Sequence, residues 1–276
     1  MPKHRLSRRG RHVALAVTGV VVIAGAGITA QSSMAASAWP AQKTYVGRAF
    51  DTCTAPSLTA MKAWKQDAYY GGVAVYVGGR NRGCAQPNLT RSWVKSVDTL
   101  GWRIIPLYVG AQPPCQKSGN KERFTSATAA SVGASNANDA IAKASALGMK
   151  TGSPIYLNME AYDTADKACN DATLAYVRSF TRTLRAKSYR AGLYGFSSSS
   201  AKAVATAKDR TDLPGNLWYA LWNGQDTTTK DWPWDPKLYT DHSRAHQYKA
   251  NSKETRRGHT LTVDRNAWDA PVAIIG

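Results

Sequence analysis

Pro154-Ile155-Tyr156-Leu157-Asn158-Met159-Glu160 reads as a short β-strand with two different faces. Successive side chains of a strand point to opposite sides. Ile155, Leu157 and Met159 therefore share one face, which is apolar throughout. Tyr156, Asn158 and Glu160 share the other, which is polar and ends in a carboxylate. The apolar face suits packing against helices, and the polar face suits an enclosed interior.

Working outward, the same alternation of a β-rich run, a polar loop and a helical stretch recurs along the chain. Strands are expected at Tyr45–Asp51, Gly72–Val77, Arg103–Val109, Pro154–Glu160, Arg190–Tyr194, Leu217–Trp222, Ala245–Tyr248 and Leu261–Asp264. Helices are expected at Ser57–Ala68, Thr90–Leu100, Thr125–Leu147, Ala172–Lys187 and Ser200–Lys208. Ser57 is a capping residue after Pro56, and Gly101 and Gly148 follow helix ends. Eight strands alternating with helices predict an α/β fold, a single-domain (β/α)8 TIM barrel. A doubly wound open sheet is the rival. It loses support because no G-x-G-x-x-G follows the first strand.

On a barrel, Glu160 falls at the C-terminal mouth of the fourth strand, where barrel active sites sit. Asp51 ends the first strand, in register with the small residues Ala49 and Gly47. Asp264 ends the eighth, in register with Thr262. First and eighth strands meet when a barrel closes, so Asp51 and Asp264 are expected side by side. Each acid alone reads as a cap or a solubilising group; three at one end read as a site. Tyr76, Tyr108, Tyr162, Tyr194, Trp222 and Tyr248 fall near the same end and offer flat faces for sugar rings. Thirteen Tyr and nine Trp against four Phe favour amphipathic surfaces.

The head of the 276-residue chain has a different character. Residues 2–12 are basic, residues 13–30 are apolar and uncharged, and Ala36-Ser37-Ala38 fits a peptidase site. That order predicts a signal peptide over 1–38 and a barrel over 39–276. A retained membrane anchor is the rival, weakened by the glycines and the small-residue tail. Ser7-Arg8-Arg9 is a weak twin-arginine signal. The mature chain is expected outside the cytoplasm, secreted and without a membrane span. The whole chain has 36 Lys and Arg against 18 Asp and Glu; five of the bases precede residue 39, which leaves +13. This excess would attract a polyanion, and an anionic wall polymer suits a secreted chain. No zinc-finger spacing, RNP motif or helix-turn-helix pattern points to nucleic acid. No signal speaks to oligomeric state.

All four cysteines (Cys53, Cys84, Cys115, Cys169) lie beyond residue 38. An even count in a secreted chain predicts two disulfides, with three pairings open. No metal or cofactor is expected. There is no C-x-x-C, and His242 and His246 fall in loop and strand rather than on one helix face. Gly195-Phe196-Ser197-Ser198-Ser199 lacks the closing glycine of a nucleophile elbow.

Gly47-Arg48-Ala49-Phe50-Asp51-Thr52-Cys53, Asn81-Arg82-Gly83-Cys84, Asn158-Met159-Glu160-Ala161-Tyr162 and Val263-Asp264-Arg265-Asn266 together resemble a known family. It is the secreted bacterial glycoside-hydrolase-like domain of unknown function, a barrel similar to the glycoside hydrolase family 25 lysozymes. The resemblance runs over nearly all of residues 44–272. It implies a muramidase-like activity on cell-wall (peptidoglycan-type) glycan, with Glu160 as general acid and Asp51 and Asp264 as supporting carboxylates. The lysozymes carry D-x-E at the end of strand four; here Asn158 replaces the Asp. An amide can bond a sugar acetamido group but supplies no negative charge to an oxocarbenium-like state. Loss of one electrostatic stabiliser costs about 3 kcal/mol, or roughly a hundredfold in rate. A non-catalytic glycan-binding barrel is therefore the second reading, and a structural wall-polymer binder the third. With each cysteine in a loop at the mouth, neighbouring loops predict Cys53–Cys84 and Cys115–Cys169.

Overall fold

The computed structural model describes residues 39–116 and 119–276, so the expected signal peptide over 1–38 lies outside the described residues. Eight strands close into one barrel in the order of the sequence. They are β1 (Thr44–Asp51), β2 (Gly72–Gly78), β3 (Arg103–Tyr108), β4 (Pro154–Met159), β5 (Arg190–Phe196), β6 (Asn216–Ala220), β7 (Arg244–Arg256) and β8 (His259–Pro271). Helices α1 (Leu58–Asp67), α2 (Arg91–Thr99), α3 (Ala129–Ala146), α4 (Lys167–Ala186) and α5 (Ser200–Ala205) follow the first five strands in turn. The α/β barrel expected from the alternation is present. Among the described residues, no helix is long and apolar enough to cross a membrane.

Local chemistry sets the elements. Ser57 and Thr90 accept the backbone N–H of Ala60 and Trp93 and so cap α1 and α2. Asp166 caps α4 through the N–H of Cys169, so that helix starts at Lys167, earlier than its apolar pattern suggests. Period-two alternation sorts the strand residues into two cores. Ile155, Leu157 and Met159 join the layer between sheet and helices. Tyr156 joins Ala49, Ala74, Trp218, Ala245 and Trp268 inside the barrel. Small and large residues interleave there, which is how a narrow interior reaches close packing. Gly192 is part of the fit: a Cβ on it would lie 2.3 Å from the Tyr156 ring.

The last third departs from eight-fold repetition. β6 leads to β7 through a long irregular segment, and β7 turns directly into β8. β8 therefore runs antiparallel to both β7 and β1. Both strands are longer than their apolar runs, because the hairpin continues as a polar ladder from Lys249–Arg265 to Arg256–His259. Its far part packs on α1 and the segment after it. Trp64 Nε1 donates to the His259 carbonyl, Tyr70 donates to Glu254, and Arg256 pairs with Asp67. Asp264 is thus not the last residue of a parallel strand, as expected, but lies within an antiparallel one. Reversal of β8 still brings it to the mouth, directly opposite Asp51.

Candidate active site

Glu160 is the first residue after β4 and stands half-buried at the rim. Its backbone N–H donates to Gln112 Oε1 at 2.9 Å, while Gln112 Nε2 donates to the Asn158 carbonyl at 3.1 Å. One buried glutamine from the loop after β3 thereby pins the strand end. Asn158 Nδ2 donates to Glu160 Oε1 at 3.0 Å. Asn158 is 4% exposed, and its Oδ1 is buried without a partner. An unsatisfied acceptor of that kind costs free energy until a donor reaches it.

Across the mouth, Asp51 and Asp264 share one amide. Gln247 Nε2 lies 3.1 Å from Asp51 Oδ2 and 3.3 Å from Asp264 Oδ2. Asn266 Nδ2 donates to Asp51 Oδ2 at 2.8 Å, and its Oδ1 accepts from Trp218 Nε1 at 2.7 Å. The Asn251 backbone N–H holds Asp264 Oδ1 at 2.7 Å. Burial, and then the neighbouring Asp264 charge, push the Asp51 carboxyl up to about 7, against the hydrogen bonds of Asn266 and Gln247. Burial also raises Asp264, against the Asn251 N–H. The two acids are register partners across β1 and β8, so like charge opposes full ionisation of both.

Tyr76 and Tyr194 tie the two sides together. Burial, and then the charges of Asp51, Asp264 and Glu160, hold the Tyr76 phenol well above its ordinary value. Tyr194 is raised by burial first, with the same three acids among the further causes. Tyr76 lines one cleft with Glu160, and Tyr194, the register partner of Asn158, donates to the Gln247 that Asp51 and Asp264 share. Tyr194 donates its hydroxyl to Gln247 Oε1, which also accepts from Trp222 Nε1. Trp222 is 55% exposed and stands edge-on to Phe196 at the rim.

Other predicted aromatics are not brought to the cup. Tyr108 faces outward from β3, donates to Asp139 on α3 and packs near Phe180. The Tyr162 ring lies in the outer core, with its hydroxyl on Asn170. Tyr248 lies in the register shift between Gln247 and Lys249, and burial first raises its phenol. It shares with Trp222 a separate hollow of about 420 Å³.

Both expected disulfides are formed, Cys53–Cys84 and Cys115–Cys169. Cys53–Cys84 walls a cleft of about 230 Å³ beside the acid, together with Tyr76, Asn81, Arg82, Asn158 and Glu160. Asn81 orders that loop by donating to the carbonyls of Gly110 and Glu122. Among the described residues, one cluster has metal-ligand spacing, Cys115, Asp166 and Cys169, and its sulfurs are already joined to each other. His246 is buried in β7, with its ring nitrogens against the carbonyls of Leu221 and Thr227.

Gln112, Gln247 and Asn266 are the residues that sequence reasoning missed. Gln247 was within reach, since period two from the inward Ala245 points it into the barrel. Asn266 was hidden beyond the expected end of its strand. Together they arrange one carboxyl at an accessible rim, and two that share a buried amide, around a hollow edged by aromatic rings. Such a site can donate a proton to a sugar oxygen on one side and offer negative charge on the other.

Known structures share this architecture. The Mycobacterium tuberculosis Tat-secreted protein Rv2525c superposes with a TM-score of 0.55 at 18% identity, over 81% of this chain and 96% of that one. An uncharacterized B. stearothermophilus protein gives 0.54 at 18%, over 81% and 96%. The modular autolysin LytC from Streptococcus pneumoniae gives 0.54 at 16%, over 81% of this chain and 47% of LytC. At these identities the likeness is one of fold. No curated protein matches the sequence. The sequence itself matches the family described as Rv2525c-like, glycoside hydrolase-like domain over residues 62–268, and the chain belongs to that family.

Proposed function

We propose that the chain is an exported glycosidase-like barrel that acts on peptidoglycan-type glycan, with Glu160 as the proton donor. The observation that carries this reading is the hydrogen-bonded link from Asp51 and Asp264 through Gln247 to Tyr194, whose register partner Asn158 bonds Glu160. Glu160 protonates the glycosidic oxygen as the C–O bond breaks and water adds to the sugar carbon. The Asp51–Asp264 pair supplies negative charge to the oxocarbenium-like state and takes up the proton that the water releases. Trp222 gives a sugar ring an exposed flat face. LytC has been captured with a synthetic peptidoglycan ligand, and SleM of Clostridium perfringens is a spore cortex lytic enzyme; both barrels share this fold. Export is supported by two disulfides, which persist in oxidising compartments, and by the Tat-secreted Rv2525c.

A second reading is a glycan-binding barrel without turnover, and Asn158 favours it. Its amide donates to Glu160 where the lysozyme pattern places a carboxylate. The test is release of reducing ends from purified peptidoglycan. Turnover by the wild type that is lost in Glu160→Gln supports the enzyme. Glycan binding without turnover in either protein supports the binding barrel.

A further inference from the structure

We propose that the opposite end of the barrel carries a second, separate site that takes a phosphate group. A pocket of about 440 Å³ opens there, lined by Trp39, Gln42, Arg185, Arg190, Asn216 and Ser243 among others. Arg190 opens β5 and Asn216 opens β6, whereas the three acids sit where β1 and β4 end and where β8 crosses that same rim. The lining offers two guanidinium groups, two amides and a hydroxyl, and none of its residues is a carboxylate.

Arg190 is the centre of the argument. It donates one N–H to the Pro40 carbonyl at 2.9 Å and lies 5.4 Å from the Trp39 ring. Its Nε is buried without a partner. Among the described residues, no acid lies within ion-pair distance of it, although burial already pulls its guanidinium below the ordinary value. Partly buried cations are normally paired, and this one fronts a cavity instead. Arg185 beside it donates to the Leu213 carbonyl at 2.7 Å and shares Asp212 only at 3.8 Å, while Arg182 holds that acid at 2.9 Å. Two guanidinium groups thus line a pocket whose lining holds no carboxylate. Guanidinium forks and amide donors match the several acceptor oxygens of a phosphate. The inference is independent of the catalytic reading, and it finds a use for an excess of bases that the acidic cup does not explain.

Two probes, inorganic phosphate and a synthetic poly(glycerol phosphate), distinguish a free anion from a polymer phosphodiester. Isothermal titration of the intact chain should show binding that weakens with salt. Arg185→Gln and Arg190→Gln should each weaken it about tenfold. Asn216→Asp, which sets a carboxylate in the lining, should weaken it at least as much. Glu160→Gln should bind as the wild type does. Polymer binding displaced by phosphate supports a polymer ligand. Phosphate binding alone, with the same response to the variants, supports a free anion. Binding of neither probe overturns the proposal. So does polymer binding that is unchanged in folded Arg185→Gln and Asn216→Asp, and these two variants decide the matter if Arg190→Gln does not fold.

Discussion

The two sides of the acidic cup hold their carboxyls in opposite ways. On the β1–β8 side, Asp51 is 2% exposed, faces Asp264 across the strands and is held by two side-chain amides. On the β4 side, Glu160 reaches solvent at the rim, and its carboxylate receives one side-chain hydrogen bond, from Asn158. Carboxyls whose surroundings differ this much divide the labour of acid and base chemistry. In the mechanism proposed above, the Asp51–Asp264 side supplies the charge and Glu160 is the group at the rim that meets the sugar.

The contrast is broken most directly at its rim half. Glu160→Gln keeps the Asn158 contact and removes the transferable proton. Turnover of peptidoglycan should fall roughly 10²–10⁴-fold, and an unchanged rate of reducing-end release would refute the assignment. The converse change sharpens it. Asn158→Asp restores the second carboxylate of the lysozyme pattern and should raise turnover by up to about a hundredfold. If that variant stays at or below the wild-type rate, Asn158 is not what limits the reaction.

The buried half is read through stability. The raised Asp51 carboxyl keeps its proton in the fold at pH values where the unfolded chain releases it. Its contribution is complete below the ordinary Asp range and is lost as pH rises towards about 7. Asp51→Asn removes that titration. Denaturant midpoints of the wild type should fall between roughly pH 4 and 7, by an amount on the order of a few kcal/mol at most. The variant should be flatter over the range and more stable above it. Parallel curves would show that the pair is not coupled as described. The smallest effect belongs to the rim: Trp222→Ala should weaken glycan binding about tenfold with little change in melting temperature, because the ring is mostly exposed.

Much of this was legible in the six residues of β4 and the Glu160 that follows them. Alternation placed Asn158 and Glu160 inward and Ile155, Leu157 and Met159 outward, because a barrel is greasy on its helix side and crowded within. Asp51 followed from the same rule. Tyr108 did not, since β3 is apolar on both faces and the pattern says nothing about which side a tyrosine takes. The β7–β8 hairpin escaped for a different reason. From Asn251 to Thr260 its residues are polar on both faces, and a strand's sequence does not announce its direction. Asp264 therefore reached the expected place by an unexpected route. The amides that clamp Asp51 and Asp264 carry no charge signature: alternation could have pointed Gln247 inward, but only tertiary structure brings Asn266 to notice.

The aromatic packing inside the barrel has a consequence for how its two ends communicate. Tyr156, Trp218 and Trp268 meet with ring centroids 5.1–6.1 Å apart and act as a cork midway along the axis. These buried rings fill the interior between the acidic cup and the basic hollow. Substitutions at the two extremities share no partners, so their free-energy changes should sum, and a double variant such as Arg185→Gln with Trp222→Ala should show each defect undiminished.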